Sequence, residues 1–322
     1  MNVMDTLYAG MGGVLESLEA GRRRRLAVIR NWAAGLLAMA LFVTLYADKD
    51  NQALTGIISF MIALIVCVYI TSRHKAGLAA DFRASVMPGL VRSLGERLTY
   101  TPHGSIPEEE FCNCGLFIAP DRYHGCDLIE GYAGQTQIRF SMVHAEERHE
   151  VTDTDTDSDG HTTTTTRTEY REVFQGLLFS ADCNKHFYGV TCLAAGGSGF
   201  FSRIRQDYVH LEHPGFNQAF TVRSSDQVES RYLLTPGMME RIMALKSRCG
   251  DRMSMSFAGG RVYVAIPMAV NTFTPGLWRR MDSLEKLTGY YGLMSFVIGM
   301  ADDLNLNTRI WSKPSESGSI ET

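Results

Sequence analysis

Asp182, Asn184, Lys185 and His186 stand together in one short stretch. A carboxylate, an amide, an ammonium and an imidazole are the groups that acid/base work or a phosphate contact would use. They form the candidate polar site. A strand that ends in a polar turn calls for the same residue types, because Asp and Asn satisfy turn backbone groups. The turn is the reading the residues favour, and no catalytic residue is assigned.

Two other groupings have the residue types of a metal site. Cys112-x-Cys114 and His124-x-Cys126 supply thiolates and an imidazole, the usual zinc ligands. On one strand, alternation would put Cys112 and Cys114 on the same face. Small buried cysteines beside an exposed histidine account for the same pattern, and no metal is assigned. Asp153, Asp155, Asp157 and Asp159 before Gly160 resemble the start of an EF-hand loop. Counted from Asp155, the twelfth position is Thr166 rather than Glu, and the flanks read as strand. The stretch 150–168 is therefore expected to be a solvated, flexible loop. Gly196–Gly199 is not followed by Lys-Ser/Thr, Ser198 is not in G-x-S-x-G, and no H-E-x-x-H occurs. Asp226 and Glu229 with Arg231 read as a structural ion pair, and Met238, Met239 and Met243 as core. No cofactor is expected.

The elements that must position these residues divide the chain. Its 322 residues carry a net charge of −4, which gives no support for nucleic-acid binding. Residues 1–75 carry +3 and the remainder −7, and the basic part holds two long apolar runs. Leu26–Tyr46 is broken only by Arg30 and Asn31, and Ala53–Thr71 has no charge. As helices they measure about 31 and 28 Å, which matches a hydrocarbon core of about 30 Å. Six residues, Ala47–Gln52, join them. The pattern predicts a transmembrane helical hairpin over 26–72, with spans 26–46 and 53–71. Arg22, Arg23, Arg24 and Arg25 precede the first span, Arg30 lies near its start, and Arg73 and Lys75 follow the second. The positive-inside rule puts both flanks, both termini and the large domain in the cytoplasm. Seven cysteines without framework spacing agree with a reducing compartment. Arg22–Arg25 is read as a lipid-facing basic run. Trp32, Tyr46 and Tyr69 fit interfacial anchors.

Residues 1–25 are a basic N-terminal segment, weakly amphipathic, in which Gly10, Gly12 and Gly13 make a stable helix doubtful. Leu78, Phe82, Val86, Leu90, Leu94 and Leu98 form an i, i+4 stripe, so 73–100 is expected to be a helical stalk broken or kinked at Pro88. The domain over 101–313 begins with strand signals at 111–119, 128–145, 169–179, 189–193, 203–211 and 220–224. Thr235, Pro236 and Gly250 then mark a helix as N-cap, first position and C′. A hairpin turns at Ala258-Gly259-Gly260, and 277–304 reads as a final helix. The Ser/Glu-rich tail 314–322 is expected to be disordered. Strands first and helices later, without βαβ alternation, argue an α+β class with a mainly antiparallel sheet and C-terminal helices.

Several runs within residues 73–313 resemble the bacterial family known as domain of unknown function 3137. They are Leu98-Thr99-Tyr100-Thr101-Pro102, Tyr123 through Asp127, and Val173 through Phe179 with Ala181 through Phe187. Ser225 through Pro236 and Leu304 through Trp311 complete the set. Met142 and Cys183 depart from the family's pattern. The resemblance implies two N-terminal membrane helices, a cytoplasmic domain at the bacterial inner membrane and a LemA-like protein partner. It implies no activity.

The resulting expectation is a membrane-anchored binding or scaffolding module rather than an enzyme. Its partners are the lipid bilayer and either another protein or a second copy. A membrane-tethered enzyme or ligand sensor using Asp182, Asn184, Lys185 and His186 is the alternative. An oligomeric membrane pore, packed through Gly56 and Ser59, is the weaker one.

Overall fold

The computed structural model describes residues 3–47, 49–156, 162–183, 185, 187–195, 207–269, 272–278, 280 and 284–306. Asn184, His186, the tip of the 150–168 stretch, Gly196–Gly199 and the tail 314–322 lie outside the described residues. Two compact units divide the chain: Met1–Ser93 with Phe273–Gly292, and Leu94–Thr272 with Leu293–Thr322.

The first unit is built on α1 (Val3–Leu45), α2 (Gln52–Ser85) and α3 (Met87–Leu94). α1 has 43 residues and runs unbroken through the glycines expected to disrupt it. Its early turns are held by packing. Met11, Leu15 and Leu18 are buried, and Met11 lies against Gly89 of α3. That burial outweighs a helix-propensity cost of about 1 kcal/mol per glycine. α1 and α2 run antiparallel. Arg25 Nη1 donates to the His74 carbonyl at 3.0 Å near one end, and Thr44 Oγ1 lies 3.4 Å from Ser59 Oγ near the other. A Cβ on Gly56 would stand 3.0 Å from Thr44 Cγ2, so the missing side chain lets the helices close there. Along the apolar runs the side chains point outward: Leu41, Phe42, Ile57 and Ile65 are each about 60% exposed. Two helical stretches, Gly10–Leu45 of α1 and Gln52–Leu94 of α2 and α3, are long and apolar enough to cross a membrane.

The basic run divides, which corrects its reading as uniformly lipid-facing. Arg22 is buried, with Nε and Nη2 donating to Glu19 at 2.8 and 2.6 Å. The i, i+3 spacing makes that pair. Arg25 Nη2 pairs with Asp81 of α2 at 2.5 Å. Arg23 and Arg24 are the exposed members.

Pro88 acts as its position demands. α2 stops at Ser85, and Pro88 is the second residue of α3, where a missing N–H costs nothing. Leu78, Phe82, Val86 and Leu90 are buried as the stripe required. The helical stalk ends at Leu94, and the next residues turn into a strand.

The second unit contains β1 (Leu98–Thr101), α4 (Glu108–Asn113), β2 (Arg122–Ala133), β3 (Thr136–Thr156), β4 (Thr162–Asp182), β5 (Thr191–Ala195) and β6 (Asp207–Tyr208). After them come α5 (Pro214–Ala219), β7 (Phe220–Ser224), α6 (Gln227–Leu233), α7 (Pro236–Cys249), β8 (Ser254–Ala258) and β9 (Arg261–Pro267). α8 (Leu284–Asp303) contributes residues to both units. The nine strands form one sheet in the order β1-β2-β3-β4-β9-β8-β5-β7-β6. Every pairing is antiparallel. The fold is α+β, as the order of signals indicated.

Local chemistry explains the elements that match expectation. The Thr235 side chain caps α7 by accepting from Met238 N, Pro236 fills its first position, and Gly250 closes it at φ 93°. The β8–β9 turn is Gly259-Gly260, both with positive φ, the requirement of a tight hairpin.

Three expectations are corrected. The stretch 111–119 is not a strand: Pro107 and the three glutamates after it start a helix, where acidic side chains favour the N-terminal dipole. The stretch 150–168 is not a loose loop in its described part. β3 and β4 continue through it, with Thr152 opposite Thr166 and Thr154 opposite Thr164, because β-branched threonine suits a strand. The final helix begins at Leu284 among the described residues, with Leu277 in a turn before it.

Candidate functional site

The sheet's register assembles a charged cluster that no stretch of sequence contains. Gln137, Asp182 and Arg261 share one row across β3, β4 and β9, through the Asp182–Arg261 pair and the continued β3–β4 register. Arg139, Ser180 and Tyr263 share the next row on the same face. Glu110 of α4 meets this face. Its Oε2 accepts from Arg139 Nη1 at 2.9 Å and its Oε1 from Ser180 Oγ at 2.7 Å. Arg261 Nε donates to Ser180 Oγ at 2.7 Å and stands 3.4 Å from Glu110 Oε1. One carboxylate thus serves two guanidinium groups, and Arg139 Nε and Arg261 Nη2 are buried without a hydrogen-bond partner among the described residues.

The same face holds the whole α4 segment by polar pins. Ser141 Oγ accepts from Ile106 N at 3.0 Å, Ser256 Oγ donates to the Cys114 carbonyl at 2.6 Å, and Tyr123 OH donates to the Ile106 carbonyl at 2.6 Å. Around them Ile106, Phe111, Leu116, Phe117, Phe174 and Leu178 form an apolar core. Phe111 and Phe117 stack with centroids 4.7 Å apart. Burial, then the nearby Glu110, pushes the Tyr263 phenol up to about 12. Burial likewise pushes the Cys114 thiol up to about 12, and burial followed by Glu108 raises Cys112.

The sequence candidates are distributed as follows. Asp182 lies on the cluster's face beside Arg261. Lys185 turns to α6, donating to the Tyr232 carbonyl at 3.0 Å and standing 4.6 Å from the Tyr232 ring centroid. Burial lowers the Lys185 pKa. Cys112 is in α4 and Cys114 at its C-terminal cap, so residues two apart on a helix face different ways. His124 is exposed on β2, and Cys126 Sγ lies 3.3 Å from Asp127 Oδ2. Among the described residues no group of three or more His, Cys, Asp or Glu is arranged to hold a metal ion.

The Asp226–Arg231 run also has a different use from the ion pair expected. Asp226 caps α6, accepting from Val228 N and Glu229 N. Glu229 accepts from Tyr188 N and Gly189 N, and Ser225 Oγ accepts from Val190 N. Arg231 Nη1 bonds the Gln227 carbonyl. The run therefore fastens the chain between β4 and β5. The sequence carried half of this signal: Ser-Asp before a helix is a capping pattern.

In chemical terms the cluster is a staple. Its acid and both its bases are engaged with one another, and the neighbouring thiols are held protonated by burial.

No curated protein matches the chain. Among solved structures, it is similar to the crystal structure of the mycobacterial trehalose monomycolate transport factor A, TtfA. The identity is 10%, the match covers 72% of this chain and 99% of that one, and the TM-score is 0.40. A likeness at that score establishes no shared fold. A family model matches residues 172–306, a stretch that contains Ser180, Asp182, Glu229 and Arg261 but not Glu110 or Arg139. The model's description is Protein of unknown function (DUF3137), the family that the motif runs within that stretch resemble.

Proposed function

We propose that the chain is a membrane-anchored module whose hairpin spans the bacterial inner membrane and whose sheet unit faces the cytoplasm as a binding or scaffolding surface. The outward-facing apolar side chains of α1 and α2 carry this reading. Leu41, Phe42, Ile57 and Ile65 would each leave most of a large apolar side chain in water, at a cost of about 1.5–3 kcal/mol apiece relative to burial. A bilayer removes that cost. The arginines before α1's apolar run, with Arg73 and Lys75 after α2's, support a cytoplasmic side by the positive-inside rule. A scaffolding role agrees with a charged cluster spent on holding α4. Its partner is a second membrane protein, LemA-like by the resemblance.

Alkaline carbonate extraction tests the anchor: the chain should stay with the membrane pellet, and release into the supernatant would remove it. Proteolysis of inverted vesicles but not of spheroplasts tests the side. Purification in mild detergent tests the scaffold, and a chain recovered alone in one oligomeric state under several conditions would count against it.

A further inference from the structure

The segment 273–278 is distant in sequence from the hairpin, yet it belongs to the same unit and is fixed against it. Arg22 Nη1 donates to the Leu277 carbonyl at 3.1 Å, and Arg83 Nη2 to Thr274 Oγ1 at 3.4 Å. Phe273 packs near Tyr290, which in turn packs near Phe82 of α2. Phe273 and Leu277 are each 1% exposed, whereas Trp278 is 71% exposed. A segment held this firmly therefore keeps its largest apolar side chain outside.

The contact with Arg22 sets the depth of this ring. Arg22 precedes the first residue of the apolar run, Leu26, by four positions, about 6 Å along a helix axis. The polar layer on each side of a hydrocarbon core is about 5–7 Å thick. Leu277 and Trp278 thus lie at headgroup level if the span begins at Leu26. Tryptophan favours that depth because its ring is apolar and its N–H is not. Arg24 on α1 and Arg280 after Trp278 are exposed cations of the same unit, as is Arg23, which also pairs with Glu19 at 3.0 Å; exposed cations suit anionic headgroups.

We propose that Trp278 is a third membrane contact, an interfacial anchor that seats segment 273–278 in the anionic headgroup layer beside the hairpin. It rests on the hairpin spanning the bilayer. The test uses the full chain in vesicles of phosphatidylcholine and phosphatidylglycerol, with two single-tryptophan forms. One retains Trp278 (Trp32→Phe, Trp311→Phe) and the other retains Trp32 (Trp278→Phe, Trp311→Phe). Lipids brominated near the headgroup end of the acyl chain should cause a loss of Trp278 emission, and lipids brominated near the chain end a smaller one. Undiminished Trp278 emission that acrylamide quenches, with Trp32 quenched by brominated lipid, would overturn the anchor and leave the hairpin standing. If brominated lipid quenches neither form, the spanning hairpin fails and the anchor with it.

Discussion

The Glu229 carboxylate on α6 accepts the backbone N–H of Gly189 at 2.6 Å, and its other oxygen accepts that of Tyr188 at 2.7 Å. Two amides ahead of β5 are thereby satisfied by one side chain far along the sequence. Gly189 has no room for more: a Cβ there would stand 2.5 Å from Glu229 Oε2.

Replacing Glu229 should reveal that clamp as stability. Glu229→Ala removes the acceptor of one exposed and one part-buried amide and should cost about 1–2 kcal/mol, while Glu229→Gln retains one carbonyl oxygen and should cost about 0.5–1 kcal/mol. Urea unfolding of the detergent-solubilised chain measures both. Equal stability of the alanine variant and the parent would contradict the clamp.

The staple under α4 predicts a coupling. Glu110→Ala strips two guanidinium groups of their anion. The side chains are 15–25% exposed, so the cost should fall below the 3–5 kcal/mol of a fully buried pair, at about 1–3 kcal/mol. In combination with Arg139→Met part of that loss should vanish, because the unpaired cation goes too. Strictly additive losses in the double-mutant cycle would argue against the geometry.

Arg22 and Arg24 contribute the same charge to the flank of the hairpin but not the same packing. Arg22→Gln breaks a pair whose side chains are 8% and 6% exposed, although Glu19 keeps Arg23 at 3.0 Å, and should cost about 1–3 kcal/mol. Arg24→Gln, at an exposed position, should change stability by less than about 0.5 kcal/mol. Thermal unfolding in micelles separates them, and indistinguishable midpoints would return Arg22 to the lipid face.

Cys114 and Tyr263 make stability depend on alkaline pH. Their pKa values rise from 9.0 and 10.0 to about 12 in the fold, so the folded state keeps protons that the unfolded chain releases. Their contribution is fully present below pH 9 and should be lost as pH rises from there towards 12. Unfolding midpoints across that range should fall, and the slope should flatten in Cys114→Ala. A profile flat through pH 11 would contradict the burial of both groups.

Elements closed by their own residues were readable from sequence. α7 has its cap, its proline and its glycine within the segment, and the β8–β9 hairpin has its two glycines. α4 was missed because Phe111, Leu116 and Phe117 suggest a strand, although Pro107 followed by three glutamates carries a helix-start signal. The early turns of α1 were missed because Met11 and Leu15 find their packing in tertiary structure, and propensity does not register it. The charged cluster was not readable. Arg139, Ser180 and Arg261 meet only through strand register, and Glu110 reaches them from α4. Asp182 was singled out for its neighbours in sequence, whereas its neighbour in the sheet is Arg261.

The place of β9 beside β4 has a consequence for the order of events during folding. β2, β3 and β4 are joined in sequence and zip by short-range closures. The Asp182–Arg261 pairing must instead close a loop of roughly 80 residues, an entropic cost that local pairing does not meet. The β2–β3–β4 meander should therefore protect its amides first, and the β8–β9 hairpin should dock onto it as a preformed piece. Pulse-labelled hydrogen exchange reads that sequence directly, and simultaneous protection of both parts would contradict it. The part of the α4 staple that Arg261 supplies is then a late event that locks a sheet already assembled.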